Sequence, residues 1–327
     1  MILSVEQAVQ ILSSSGIVAV PTETVYGLAG VATDSLAIDK IFKAKNRPRD
    51  NPLICHFGSI GQIKEYVQDF PRYFEKLVQK FSPGPISYLL SLPSNSTLLP
   101  ATGGLTKVIV RIPDHTVFKQ IVTLLGKPLA APSANTSTKF SATTSQMVEA
   151  DLGDKIDGVV EGGSSNVGLE STIIDCTAEN FVQILRPGAI GQNELEAFFL
   201  ENNFNVRVAQ KASSENIPGN KYRHYSPKTK ILNFTSLKNV PKNQKIAILG
   251  LEQDLIRLKM DMSDNSNIVL INLGQNLNEL AHNFYAQLFY LDSLNLDTGY
   301  LLTIPEENSS VWLAINNKID KIIIDDK

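Results

Sequence analysis

Between Pro21 and Phe57 the chain reads PTETVYGLA and then KAKNRPRDNPLICHF. That stretch gathers Thr22, Glu23, Thr24, Lys45, Arg47, Arg49 and Asn51 just after an apolar strand, Ile17-Val18-Ala19-Val20. A core segment has no use for hydroxyls, a carboxylate and a basic cluster in such density. A site that takes a polyanion and a small polar metabolite does. Arg offers a planar fork to phosphate oxygens, and Lys a compact point charge. Pro48 and Pro52 stiffen the loop that carries these cations, which holds their side chains in place at low entropic cost. Taken alone, the same cations could merely complement the C-terminal dipole of the helix they end.

Further candidates lie where strands give way to turns. Leu129-Ala130-Ala131 runs into Pro132-Ser133-Ala134-Asn135, where small residues let a ligand approach the backbone and Ser133 and Asn135 supply hydrogen bonds. Gly168-Leu169-Glu170-Ser171-Thr172-Ile173 puts polar groups at a strand start, and Leu185-Arg186-Pro187-Gly188 puts an Arg at a strand end. Ligands of open α/β sheets commonly bind at such strand ends. Arg111 stands inside the β-branched run Val108–Ile112 and must meet a polar cavity or a carboxylate. The chain lacks GxxxxGK[ST], and no GxGxxG follows its first strand. A nucleotide must therefore be held by side chains rather than by a glycine-rich cradle.

The elements that position these residues alternate through the first half of the chain. Leu36, Ile38, Ile41 and Phe42 fall at helical spacing behind a capping Asp34, and Leu53–Phe57 reads as a buried strand. Ile86–Leu92, Val108–Ile112, Gly158–Glu161, Ser171–Cys176 and Val182–Leu185 read as further strands, and Thr116–Leu125 and Gln192–Glu201 as helices. Residues 206–228 carry five Lys/Arg against one acidic residue and include IPGNKYRHYSP. This reads as a basic interdomain linker between a first domain, 1–205, and a second, 229–327. In the second, Leu277–Leu294 reads as a long helix and Lys321–Ile324 as the end of a strand.

Composition narrows the function classes. With 327 residues, 43% hydrophobic and 19% charged, the chain has an ordinary globular balance. A net charge of −3 gives no global drive toward nucleic acid or membrane. No segment nears the roughly 20 apolar residues of a membrane span, and MILSVEQAVQILSSSG reads as an amphipathic helix rather than a leader. Two cysteines, Cys55 and Cys176, in apolar runs fit buried thiols of a reducing cytoplasm. The absence of CxxC and HExxH leaves a zinc site without support.

In combination these motifs resemble one family. KAKNR with SAN is similar to the KxR…SxN signature of the YrdC-like threonylcarbamoyl-AMP synthases. PTETVYGL, NPLICH, GLESTI and LRPG resemble that family's other fingerprints, in the same order, and PGNKYRHYSP resembles the linker of its longer, two-domain members. The resemblance implies a twisted, open, mixed α/β sheet with a large concave cavity, followed by a small Rossmann-like α/β domain. It implies synthesis of L-threonylcarbamoyladenylate from L-threonine, bicarbonate and ATP, with release of pyrophosphate. A tRNA-modifying threonylcarbamoyl transferase complex would then pass the group to an adenosine of tRNA.

By matching positions, Thr24, His56, Arg111, Ala131 and Ser171 surround the threonine. Arg47, Asn51, Ser133, Asn135, Ser141, Arg186 and Tyr222 hold ATP, and Lys107 adds a backbone contact where the family often has Thr. Both reacting partners are anions. Lys45, Arg47 and Arg186, with a magnesium ion held mainly by phosphates, are expected to cancel charge and stabilise the transition state. His56 would help the threonine amine lose its proton. Tyr222 implies a linker that folds over the cavity as a lid and excludes water. The stretch Ala314-Ile315-Asn316-Asn317-Lys318 departs from the family in lacking its Arg after Asn, and Asn220 replaces the usual Met of the linker.

A rival reading is a non-catalytic module that binds double-stranded RNA by shape. It calls for a broadly basic face, whereas residues 1–190 hold 16 basic and 17 acidic side chains. Weak RNA binding beside catalysis is compatible with either reading. The carbamoyl-transfer domain of hydrogenase-maturation proteins is a third, but those carry zinc-finger domains that two isolated cysteines do not supply.

Overall fold

The computed structural model describes residues 1–210, 225–241, 243–262 and 267–324. Eleven strands among them form one mixed sheet. In spatial order these are Ile2–Leu3, Gly158–Val160, Val18–Val20, Gly27–Val31, Leu129–Ala130, Ile54–His56, Lys107–Arg111, Ile86–Ser91, Thr172–Asp175, Phe181–Arg186 and Arg207–Gln210. Parallel and antiparallel neighbours interleave along it. Most of these strands are buried on both faces, which is why the sequence shows apolar runs rather than clean alternation.

Local chemistry sets the first functional turn. Asp34 caps the helix Ser35–Lys45, accepting hydrogen bonds from the amides of Leu36 and Ala37. Asn46 ends that helix in the left-handed conformation with φ 50°, a role Asn tolerates better than most residues. The chain therefore turns sharply at Asn46 and carries Arg47 back toward the sheet. At the far side, the ladder between Phe181–Arg186 and Thr172–Asp175 shifts register between Ile184 and Arg186. A bulge of this kind re-aims the side chain that follows it, and it places Arg186 in the pocket.

The second domain is a four-stranded parallel sheet in the order Lys230–Asn233, Thr298–Leu301, Ile246–Gly250, Ile268–Asn272, flanked by the helices Glu252–Asp261, Leu277–Ser293 and Ser310–Ile322. This is the Rossmann-like unit expected. Two boundaries differ from the sequence reading. Arg207–Gln210, assigned to the linker, is an edge strand of the large sheet paired with Phe181–Ile184. Lys321 and Ile322, assigned to a strand, end the helix Ser310–Ile322. Its buried Ala314, Ile315, Lys318, Ile319 and Ile322 fall at helical spacing, and only Ile323 bridges to Ile231. Tyr222 and most of the basic linker lie outside the described residues. Among the described residues no helix is long and apolar enough to cross a membrane.

The two domains share one hydrophobic core. Leu169, Ala142 and Phe140 of the first pack in the same cluster as Phe284, Tyr285 and Leu288 of the second.

Candidate functional site

A pocket opens beside the strand ends. Its floor is Ile54, next to a small apolar patch of Ile109, Ile173 and Leu185 on the sheet. The pocket is lined by the set expected around threonine, a first wall of Thr24, His56, Arg111, Ala131 and Ser171, and by the set expected around ATP, a second of Arg47, Ser133, Asn135, Ser141 and Arg186. Ten positions scattered from 24 to 186 thus converge on one cavity. Three residues that sequence reasoning did not single out for it also line it: Lys139, Glu170 and Tyr225.

On the first wall the Arg111 guanidinium is already engaged. It donates to Thr24 Oγ1 at 2.8 Å and lies 2.7 Å from Glu23 Oε1, both partners buried. The ion pair expected of an Arg in a β-branched run is therefore present, and it stands at the pocket rather than away from it. Ser171 Oγ is 2.7 Å from Ser87 Oγ and accepts from Arg186. His56 Nδ1 lies 3.1 Å from the Ile54 carbonyl. Burial first, then the Arg111 charge, push its pKa down to about 3. A ring so hard to protonate is a poor acceptor for an amine proton. The suggestion that His56 acts as a base is thus corrected: it is a neutral wall element packed against Phe118, with ring centroids 5.7 Å apart.

On the second wall Arg47 is gripped by its own loop, Nε on the Asn51 carbonyl and Nη2 on the Pro52 carbonyl, each at 3.0 Å. Asn51, expected to touch ATP, is absent from the pocket lining; its backbone orients Arg47 instead. Arg186 grips Ser171 with Nε and Nη2 on the backbone oxygen at 3.0 and 2.9 Å. Gly188 makes this turn possible, because a Cβ there would sit 2.3 Å from the Thr172 amide nitrogen. Burial, then the neighbouring Arg186, lower Arg47 to about 10, so it remains cationic at neutral pH.

Lys45 behaves differently from its expected role. Its ammonium is buried and donates to the backbone oxygens of Ser133 and Asn135 rather than lining the pocket. Burial, then Arg47, push its pKa well below the usual lysine range. The expected charge-cancelling role becomes a bracing one: Lys45 fixes the Ser133–Asn135 turn. Lys107 shares the strand face of Ile109 and Arg111 but its side chain is exposed, 3.8 Å from Asp175, and Arg49 pairs with Asp39 at the surface. Neither reaches the cavity.

Tyr225, three residues after Tyr222 and the first described residue after Gln210, lines the pocket. Its φ is 72°, a conformation that disfavours bulky side chains, yet its ring is buried. Behind it lies the other residue that the sequence underrated. Glu170 accepts from Ser141 Oγ at 2.6 Å and Tyr285 OH at 3.0 Å, and pairs with Lys318 Nζ at 3.1 Å. Burial acts to raise this carboxyl, but Lys318 and then Arg186 outweigh it and hold it at about 2. A carboxyl held below its ordinary 4.5 adds stability above that pH, and the contribution is lost as pH falls toward about 2. Thermal melts across that window should therefore show wild type losing more stability than Glu170→Gln; parallel curves would refute the coupling.

The arrangement is one for anions. Among the described residues, Arg47, Arg111, Lys139 and Arg186 line the pocket, and Glu170 is the carboxylate set against them. Among the described residues no group of three or more His, Cys, Asp or Glu is placed to hold a metal.

Comparison with known proteins adds independent findings. The family profile described as telomere recombination matches residues 10–188, and that of the C-terminal domain of threonylcarbamoyl-AMP synthase matches residues 190–321. A threonylcarbamoyl-AMP synthase of Pyrococcus abyssi is 35% identical over 311 residues, covering 93% of this chain and 89% of that protein. One of Schizosaccharomyces pombe is 34% identical over 360 residues, covering 97% and 88%. The crystal structure of P. abyssi Sua5 complexed with L-threonine superposes with a TM-score of 0.82 at 31% identity, over 98% of this chain and 95% of that one. Likeness of this extent runs through both domains and the segment between them, and places the chain in the threonylcarbamoyl-AMP synthase family, in its two-domain form.

Proposed function

We propose that the chain condenses L-threonine, bicarbonate-derived CO2 and ATP into L-threonylcarbamoyladenylate and releases pyrophosphate. The observation that carries this reading is the convergence of Arg47, Arg111 and Arg186 on one cavity without a glycine-rich cradle. The relatives' shared name, and the L-threonine bound in the P. abyssi structure, support the same substrate class.

The chemistry follows from charge. The neutral threonine amine adds to CO2, loses a proton and becomes a carbamate. A carbamate oxygen then attacks the α-phosphorus, and the bond to the β-phosphate oxygen breaks. Nucleophile and electrophile are both anionic, so they approach only where fixed cations offset the repulsion. Arg47 and Arg186 do this with guanidinium groups already locked by backbone oxygens, so little reorganisation accompanies the reaction. Arg111 faces the threonine carboxylate, and Ser171 and Thr24 supply hydroxyls around the substrate's own. An analogue lacking that hydroxyl leaves buried polar groups unpaired and is rejected.

A magnesium ion carried with ATP would offset phosphate charge; Glu170, the carboxylate among the described lining residues, is itself committed to Ser141, Tyr285 and Lys318. The product passes to a threonylcarbamoyl transferase acting on adenosine in tRNA. We place the reaction in the cytoplasm, where the buried free thiols Cys55 and Cys176 are at home.

One incubation tests the reading. The protein is mixed with ATP, magnesium and bicarbonate, and each amino acid is added in turn. Pyrophosphate is expected with threonine, and only when bicarbonate is present. Equal release with valine, or none with threonine, sinks it.

A further inference from the structure

The second domain reaches two lining groups of the pocket, the carboxylate of Glu170 and the ring of Tyr225, over which Lys318 and Lys321 lie and against which Tyr285 stacks. The loop that carries Glu170 begins at Gly168, whose φ is 77° and where a Cβ would sit 2.4 Å from the Ala281 backbone oxygen. Only glycine lets this loop press against the backbone of helix Leu277–Ser293. His282 of that helix also contacts the Asn166 carbonyl through Nδ1 at 3.0 Å. From the helix so docked, Tyr285 directs its hydroxyl at both Glu170 oxygens, at 3.0 and 3.1 Å. From helix Ser310–Ile322, Lys318 brings its ammonium to 3.1 Å from Oε2, with the side chain fully buried. The first domain contributes Ser141, on Oε1 at 2.6 Å.

As a device for stability alone this cluster is a poor choice. Desolvating a lysine and a glutamate consumes most of what their attraction returns, and apolar residues of equal volume would serve as well. Its placement suggests another purpose, because the carboxylate it grips lines the pocket beside Ser141 and Arg186. We propose that Lys318 and Tyr285 are positioning residues for the nucleotide wall: by holding Glu170 from the second domain they fix Ser141 and set the charge beside Arg186, so that the pocket is complete only with both domains docked. The inference rests on the reaction proposed above for this site.

The groups facing Glu170 are Lys318 and Lys321 of one helix, Tyr285 of another, Tyr225, and Arg186 and Ser141 of the first domain. With Lys318 gone, Arg186 remains beside the carboxylate, but the largest of the charges that offset its burial is lost, and the carboxyl titrates higher than in wild type.

The test uses the full chain as wild type, Lys318→Met, Tyr285→Phe and the double variant Glu170→Gln/Lys318→Met. Calorimetry measures binding of a non-hydrolysable ATP analogue, and steady-state pyrophosphate release gives KM for each substrate. Lys318→Met is expected to raise KM for ATP and weaken the analogue about tenfold, the equivalent of one charge-assisted contact. KM for threonine should stay as in wild type, and kcat/KM for ATP should gain an acid limb at a pH where wild type shows none. The double variant, which removes both charges, should lose that limb. Tyr285→Phe should move the same quantities less, and it keeps the test alive if Lys318→Met fails to fold.

The inference is overturned by wild-type KM for ATP and pH profile in the single variants. It is overturned equally by a uniform loss in both KM values and kcat without a new limb, the mark of a merely structural role. Analogue binding without threonine-dependent pyrophosphate release in wild type removes the proposed reaction but leaves the variant comparison decisive. No analogue binding in wild type removes both.

Discussion

Arg186→Ala abolishes threonine-dependent pyrophosphate release, and Arg47→Ala falls nearly as far. Removing one preorganised donor that faces developing charge costs about 10²–10³-fold in turnover. Arg186 does more than donate, because its fork also fixes the Ser171 backbone oxygen and hydroxyl. Its loss therefore disturbs the threonine wall along with the nucleotide wall, and a fall of at least about 10³-fold in kcat/KM is expected. Arg186→Lys does not restore it: an ammonium lacks the planar fork that meets Ser171 at two oxygens. Arg47→Ala leaves the Asn51 and Pro52 carbonyls without their donor, so its loop loosens as well. Each variant strands buried carbonyl oxygens and should lose about 1–3 kcal/mol of stability while staying folded, since Glu170 keeps Lys318 as counter-ion when Arg186 is gone. Wild-type-like release by both folded variants would remove the nucleotide assignment.

Much of this site was legible because the chemistry is carried by residue types that are out of place in a core. Arg111 amid valines and isoleucines, Arg186 before Pro-Gly, and Ser133 and Asn135 in a small-residue turn each announce a polar cavity at a strand end, and all of them line it. Side-chain direction was what the sequence could not convey. Lys45, Arg47 and Arg49 look equivalent along the chain. Their fates are divided by the left-handed turn at Asn46, which ends the helix after Lys45 and turns the chain before Arg47 and Arg49: one braces a turn, one enters the pocket, one faces solvent. Asn51 was read by its amide, yet it is the backbone oxygen that serves the pocket.

The tertiary contributions were invisible for a related reason. Glu170 was in plain view within GLESTI, but the residues that give it importance, Tyr285 and Lys318, lie more than a hundred positions away. Neither breaks its helical pattern, since both occupy core-facing positions of helices whose other buried residues are largely apolar. A lysine on such a face was the one available signal. It stands in the stretch Ala314-Ile315-Asn316-Asn317-Lys318, among residues of ordinary helical pattern. The fold was easier. Apolar runs, prolines and caps mark the strands and the helix behind Asp34, while the short strands Ile2–Leu3 and Leu129–Ala130 exist only because neighbours pair with them.

Arg111 and Glu23 allow substrate recognition to be separated from stability. Arg111→Gln is expected to do two kinds of damage. It removes the group proposed to face the threonine carboxylate, and it leaves Glu23 buried without its cation. Breaking a buried pair from one side costs about 3–5 kcal/mol of stability, because the remaining charge is stranded in a poor solvent. The single variant should therefore melt well below wild type and release no pyrophosphate at ordinary threonine concentrations. Glu23→Gln/Arg111→Gln removes both charges and should recover most of the lost stability. It should not recover threonine binding, because a charged hydrogen bond worth about 1.5–3 kcal/mol is still missing, a rise in KM for threonine of roughly ten- to a hundredfold or more. KM for ATP should move little in the double variant, since Arg47 and Arg186 are untouched. Melting curves with initial rates against each substrate decide the matter. Threonine affinity that returns together with stability would show that Arg111 serves only its pairing with Glu23, and the threonine wall would then have to be sought elsewhere in the pocket.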